Sequence, residues 1–210
     1  MHEVTAHIEF LTPYCQSRFH NTEKQPKELS DAYENRTWKE RLHTDEDGII
    51  QIPAMAFANA IKETAKFLSI QIPGKGKATW TKHFEAGISV LEDVPTGVSK
   101  DSGQVIRKQL FVPSDGKRGS GSRVMKSYPW VLPPLQVSPV FYISDDVITP
   151  EVFAAHLVQT GFLIGLGTFR VRNNGTCGRF EVNSIDWKNG ADANLLPPIN
   201  IVKEKGLKVA

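Results

Sequence analysis

Four stretches with a two-residue alternation, interrupted by two stretches with a helical period, constrain this chain more than any other feature. The first runs from Val4 to Phe10: Val4, Ala6, Ile8 and Phe10 fall on one face, with Thr5, His7 and Glu9 on the other. Such a pattern is a half-buried strand. Phe57, Ile61, Ala65 and Leu68 then recur at spacings of four, four and three, which predicts an amphipathic helix over 54–68, with Pro53 at its first position. Phe84, Ala86, Ile88 and Val90 alternate as a second core strand, and Ser138 to Ile143 reads as a third. Thr149-Pro150-Glu151 is a helix start: the threonine caps, the proline suits the first turn, and the acid meets the positive end of the helix dipole. Phe153, Leu157, Gly161 and Ile164 mark the buried face of that second helix, and Gly165 is placed to end it. A last strand spans Phe180 to Trp187, with a bulge expected near Ser184 where the alternation slips.

The order is β-α-β-β-α-β, a ferredoxin-like (RRM-like) α+β core. At 210 residues the chain is read as a single domain, 1–210, with two long insertions. Residues 11–48 lie between the first strand and the first helix and are polar; a short strand at Ile49–Ile52 follows, and a short helix is expected within Tyr33 to His43. Residues 93–134 lie between the middle strands and are rich in Gly, Ser, Pro and basic residues, with β-formers from Val105 to Val112 suggesting a hairpin.

Charge is distributed by segment. The net charge is only +2, but the first insertion gathers Glu23, Glu28, Asp31, Glu34, Glu40, Asp45, Glu46 and Asp47. Lys62, Lys66, Lys75, Lys77 and Lys82 follow, opposed only by Glu63. This asymmetry suits a polyanion partner or head-to-tail self-association. The apolar runs fall short of the roughly 18 residues that suggest a membrane span, and Met1-His2-Glu3 lacks the charged start and apolar stretch of a signal peptide. Cys15 and Cys177 are too few for a disulfide framework and sit in no paired metal motif, so a reduced, cytoplasmic protein without metal or cofactor is expected. Gly74-Lys-Gly-Lys77 and Gly116-Lys-Arg-Gly119 both lack the full phosphate-loop pattern, and Gly165-Leu-Gly167 follows a helix rather than the strand a dinucleotide fingerprint requires.

Two segments carry the binding chemistry. In the second insertion Arg107, Lys108, Lys117, Arg118, Arg123 and Lys126 stand among glycines and serines, with Phe111, Tyr128 and Trp130 nearby. Cations track a phosphate backbone and aromatics stack unpaired bases, so the mixture favours single strands over duplex. After the second helix comes a glycine-rich segment with Gly165, Gly167, Gly175 and Gly178 and with Arg170, Arg172 and Arg179. Glycines admit close backbone approach, and arginines fork onto phosphates or stack on bases.

Gly165-Leu-Gly167, followed by Arg170, Arg172 and Gly178-Arg179-Phe180, resembles the glycine-rich loop of the RAMP superfamily, CRISPR-associated RNA-binding proteins in which this loop also follows the last helix of a ferredoxin-like unit. Ile52-Pro53-Ala54-Met55-Ala56-Phe57 is similar to the start of the first helix in CRISPR-effector backbone subunits, with Ala54 and Ala56 departing from the more usual Gly-Ser-Ser. The inserted 93–134 segment matches the place of the thumb in those subunits. A compact viral or mobile-element relative fits the same resemblance.

The resemblance implies an antiviral-defence ribonucleoprotein. Its backbone subunits bind one guide RNA along a helical filament, contact copies of themselves and other effector subunits, and kink the strand with the thumb. The expected phosphate contacts are Lys62, Lys66, Arg107, Lys108, Arg118, Arg123, Arg170, Arg172 and Arg179, with Phe111 and Trp130 packing on bases. The expectation is thus a single-stranded RNA-binding module rather than an enzyme. A viral single-stranded DNA-binding or annealing protein is the alternative. A metal-dependent ribonuclease using Asp31, Asp45 or Asp47, or a histidine base such as His20, His43 or His83, is the third reading, and a pure assembly protein the fourth.

Overall fold

The computed structural model describes residues 1–114 and 121–188. In chain order the elements are β1 (His2–Phe10), β2 (Tyr14–Cys15), α1 (Ser30–Thr37), β3 (Ile49–Ile52), α2 (Ala54–Leu68), α3 (Thr81–Gly87) and β4 (Ile88–Ser89). There follow β5 (Val94–Ser99), β6 (Val105–Pro113), β7 (Arg123–Val131), β8 (Gln136–Val137), β9 (Val140–Ile143), α4 (Pro150–Gln159) and β10 (Phe180–Lys188). The main sheet has the order β10-β1-β9-β4, with all neighbours antiparallel and β8 added beside β1. Numbering the four core strands by their place in the split motif, this is the ferredoxin-like order 4-1-3-2.

The alternation of β1 explains the packing of that sheet. Val4, Ala6, Ile8 and Phe10 are all buried and face the helices. Against them lie Phe57, Ile61 and Ala65 of α2 and Phe153 and Leu157 of α4, in one continuous core. Each large apolar side chain withdrawn here contributes roughly 1.5–3 kcal/mol. The bulge falls where expected: β1 and β10 slip register between His7 and Ile8, whose partners are Ser184 and Val182, so Asn183 stands unpaired.

Two helix starts show how much is local. Thr149 caps α4, its hydroxyl accepting from the Val152 amide at 3.4 Å. Pro53 precedes the first residue of α2 rather than opening the helix, and the cap is remote: the Ala54 amide donates to Asp93 Oδ1 at 2.8 Å.

The second core strand is a correction. Thr81 to Gly87 is helical, and only Ile88 and Ser89 pair with β9. Phe84, Gly87 and Ile88 are buried but Ala86 is exposed. Inward residues spaced three and four apart satisfy a helix as well as they mimic alternation, and the tertiary packing selected the helix.

The first insertion holds β2, α1 and a 3-10 turn at Trp38–Arg41. It is tied to the body by the buried Gln16, whose Nε2 donates to the Gln51 carbonyl at 2.6 Å while its Oε1 accepts from the His43 amide at 2.6 Å. The segment 93–134 contains β5, which pairs with β3, and a long antiparallel hairpin of β6 and β7. With β2 the hairpin makes a three-stranded sheet, β2-β7-β6. The tail beyond Lys188 lies outside the described residues.

Candidate nucleic-acid interface

Helix α2 sets the first half of the site. Its buried face anchors it, which leaves Lys62 and Lys66 one turn apart on the other side. α4 continues into a π turn at Thr160–Ile164, whose wider winding closes with Gly165 donating to the Thr160 carbonyl at 2.8 Å. The glycine-rich segment then folds back onto α2. Arg170 Nη2 donates to Glu63 Oε2 at 2.7 Å, and Arg172 Nε lies 3.3 Å from Glu63 Oε1. Lys62, Glu63, Lys66, Phe67, Glu85 and Arg172 line one groove as a result. Two sequence-predicted cations of one helix turn, Lys62 and Lys66, therefore meet a third, Arg172, from a distant part of the chain. Arg170 meets them too, with its guanidinium engaged by Glu63. Arg179 stands over the ring of Phe162, 5.3 Å from its centroid.

The glycines of this segment approach the protein's own backbone. A Cβ on Gly167, at φ +81°, would stand 2.3 Å from the Cys15 carbonyl oxygen. One on Gly178, at φ +76°, would stand 1.9 Å from the Leu166 carbonyl oxygen. Leu166 in turn donates its amide to Gly178 at 2.9 Å, Gly178 donates to Pro13 at 2.9 Å, and Thr168 donates to Cys15 at 2.8 Å. Gly165 packs against Gly178, and a Cβ on Gly175 would run into the Phe169 carbonyl. The glycine-rich loop is thus laced to the β1–β2 connection, and its arginines are presented from a fixed frame.

The hairpin is the second half. Residues directly opposite in its register share a face: Arg107 with Pro129, Phe111 with Met125, and Pro113 with Arg123. Arg107, Phe111, Arg123 and Met125 are all exposed on that face. Lys108 points to the other, its ammonium 5.4 Å from the Trp130 ring centroid. Trp130 is half-buried beside Cys15, in a small second cluster with Tyr128 and Cys177. Arg118 and Lys117 lie outside the described residues.

The acidic insertion grips the base of the hairpin. Glu34 is buried, and its Oε2 accepts from the Ser127 amide at 2.8 Å, on the edge of β7 that β2 leaves unpaired. Arg41 donates to the same carboxylate at 3.2 Å and lies over Tyr128. Neither contact has a local sequence signal, since Glu34 and Ser127 are joined only through the fold.

The open face of the main sheet has the opposite character. Glu3, His7, Glu9, Glu181 and Asp186 occupy its outward positions, together with Lys188, which pairs with Glu3 at 2.9 Å. His7 is held between Ser138 and Asp186, at 3.0 and 3.1 Å. Carboxylates outnumber cations on that face, which disfavours a phosphate backbone there.

The carboxylates considered for metal chemistry are scattered. Asp45 accepts from the Ile49 amide and from Gln51 Nε2, and Asp31 sits in the first turn of α1. Among the described residues no group of three or more His, Cys, Asp and Glu is arranged to hold a metal ion. Of the histidines, His83 pairs with Asp145 at 2.6 Å. His20 stacks on Tyr33, and His43 is pushed below the usual imidazole range, first by burial and then by Arg18. The two cysteines are free thiols in the second cluster. Burial raises both thiols, Cys177 to about 11, which keeps them in the weakly nucleophilic protonated form at neutral pH. No helix among the described residues is long and apolar enough to cross a membrane.

No protein-family model and no curated protein matches this chain. Solved structures do. A chain in the cryo-EM structure of the type III-B Cmr-beta bound to cognate target RNA is 13% identical, with a TM-score of 0.52 over 89% of this chain and 60% of that one. Cmr6 from Pyrococcus furiosus gives 10% identity and a TM-score of 0.47, covering 86% and 97% of the two chains. A chain of a CRISPR RNA-guided surveillance complex gives 11% and 0.40, covering 90% and 70%. The protein described here spans 60% of the length of the Cmr-beta chain. Its core order, 4-1-3-2, and that likeness together give it a ferredoxin-type fold similar to that of the Cmr-beta chain.

Proposed function

We propose that this chain is a nucleic-acid-binding subunit of a CRISPR-like ribonucleoprotein, holding single-stranded RNA along its helical and hairpin side. The observation that carries this reading is the groove in which Lys62 and Lys66 of α2 meet Arg172 of the glycine-rich segment, three cations against Glu63 and Glu85. The acidic open face of the sheet supports it by contrast, because an RRM-type mode would lay the strand there. The hairpin supplies a second basic surface in Arg107 and Arg123, with Phe111 and Met125 as an exposed apolar pair between them. In this reading the hairpin acts as a thumb that wedges between bases. The acidic sheet face meets a neighbouring subunit, either a copy of this chain in a filament or another effector subunit. Phosphate contact falls to Lys62, Lys66, Arg172, Arg107, Arg123 and, from the frame around Phe162, Arg179. Arg170 acts by holding Glu63 and the segment in place.

The test is the nucleic acid that copurifies with the full chain, followed by binding of RNA and DNA oligonucleotides of one sequence. Protected RNA of regular length, with RNA preferred over DNA, is the expected result. Preference for DNA moves the assignment to a single-stranded DNA-binding or annealing protein. Clean protein that binds neither oligonucleotide at low salt overturns nucleic-acid binding.

A further inference from the structure

Two exposed phenylalanines are each paired with an arginine of the glycine-rich segment, and one of them, Phe67, lines the groove. Phe67 is 51% exposed in the last turn of α2, and Phe162 is 59% exposed on the π turn after α4. Large apolar rings at such exposure cost hydration unless something covers them. Each is met by one arginine of the same glycine-rich segment: Arg172 stands 5.0 Å from the Phe67 centroid, and Arg179 stands 5.3 Å from the Phe162 centroid. A guanidinium over a ring is favourable by itself, and the pair offers a flat, cationic stack. Arg172 is held from behind by Glu63, and the segment bearing both arginines is laced to the body by its glycines. The stacks are therefore preorganised, so a ligand loses little ordering entropy on meeting them.

We infer that the Phe67–Arg172 and Phe162–Arg179 pairs are stacking platforms for unpaired bases of a single-stranded nucleic acid. The choice of ligand follows from charge: Phe67 shares its groove with Lys62, Lys66 and Arg172, which outnumber Glu63 and Glu85 there, so an arriving strand finds phosphate partners beside a π surface. A flat base with an anionic link on either side fits that arrangement, whereas an apolar protein helix leaves the lysines unpaired. The pairs read bases as surfaces rather than by hydrogen-bonding edges, so affinity is sequence-tolerant. This inference rests on the proposed function above, and the experiment separates the two.

The experiment compares a fluorescent single-stranded RNA with an oligonucleotide of equal length and phosphate number in which the bases are absent. A third probe carries 2-aminopurine, whose emission falls on stacking. The full chain is used, with Phe67→Leu, Phe162→Leu and the double variant, each checked by circular dichroism and melting. The expected result is at least tenfold tighter binding of the base-bearing strand, quenching of 2-aminopurine, and a loss of about tenfold in affinity with each leucine. The abasic strand should bind the variants and the native chain alike. If the native chain binds base-bearing and abasic strands equally, the platforms are excluded while phosphate binding stands. Unchanged quenching in the double variant also excludes them, as does a change confined to self-association in sedimentation. If neither strand binds at low salt, this inference and the proposed function fall together.

Discussion

The glycine-rich segment after α4 and the β6–β7 hairpin are both rich in glycine and arginine, yet they use those residues in opposite ways. In the segment the glycines press against backbone: Gly167 on Cys15, Gly178 on Leu166. In the hairpin, Gly121 has nothing among the described residues within 4 Å of where a Cβ would stand. The charges differ in the same sense. Arg170 and Arg172 share Glu63, and Arg172 and Arg179 each cover a phenylalanine. Arg107 and Arg123 make no ion pair among the described residues and project on one face of the hairpin. One region is a rigid mount and the other a held arm. Both use glycine and arginine; what differs, among the described residues, is whether the surrounding chain closes over them.

The largest effect expected from this contrast is on stability. Gly178→Ala adds a Cβ at positive φ against a carbonyl oxygen, and should cost roughly 2–5 kcal/mol in urea denaturation. Gly121→Ala should stay within about 0.5 kcal/mol. Equal effects at the two sites break the comparison. Next comes the grip on the arm. Glu34→Ala leaves the buried Ser127 amide and Arg41 without their acceptor, with an expected loss of about 1–3 kcal/mol. Amide exchange at Ser127 and its neighbours in β7 should quicken, while exchange in β1 stays slow.

Smaller in stability but sharper for function are the arm charges. Arg107→Gln and Arg123→Gln should leave the melting temperature unchanged, and each should lower the slope of log affinity against log salt by about 0.7 for a single strand. Lys62→Gln and Lys66→Gln should do the same from the other side. If only the lysines move the slope, the strand lies on the groove alone and the arm serves another purpose.

The smallest expected effect is a pH dependence of the core that neither region shares. His156 is buried against Phe84, its Nδ1 2.7 Å from the Val152 carbonyl oxygen and its Nε2 without a partner among the described residues. Burial lowers its pKa below the ordinary value, against a smaller opposing pull from the Val152 carbonyl. The unfolded chain therefore binds a proton that the folded chain resists, and the stability present above the unfolded pKa is lost as pH falls. Denaturation midpoints should drop between pH 7.5 and 5, and the drop should shrink in His156→Leu. His20 and His43 are lowered too, so part of the slope should survive.

Much of this was legible locally. The alternation of β1, the spacing of α2, the Thr149 cap, the Gly165 stop, the β10 bulge and the β-forming run in the hairpin are all short-range patterns, and each appears near its expected place. The miss at Phe84 came from a run in which the helix and strand periods agree at Phe84 and Ile88 and part at Ala86, which is exposed, and Gly87, which is buried. The site was legible as residue types and not as partners. Trp130, expected to pack on bases, is half-buried beside Cys15, and Phe67 and Phe162 carried no signal, since an exposed phenylalanine at a helical position looks like core in a sequence.

By itself the amino-acid sequence determined the two long helices, the first, third and last core strands, the ferredoxin-type plan, and which segments are basic, because periodicity, capping and charge act within a few residues. Only the tertiary structure decided which of those charges are spent internally and which face outward. Glu63 and Arg170 lie 107 positions apart, and Glu34 and Ser127 lie 93. Pairing over such separations depends on how the sheet brings the segments together, and no local rule contains that information.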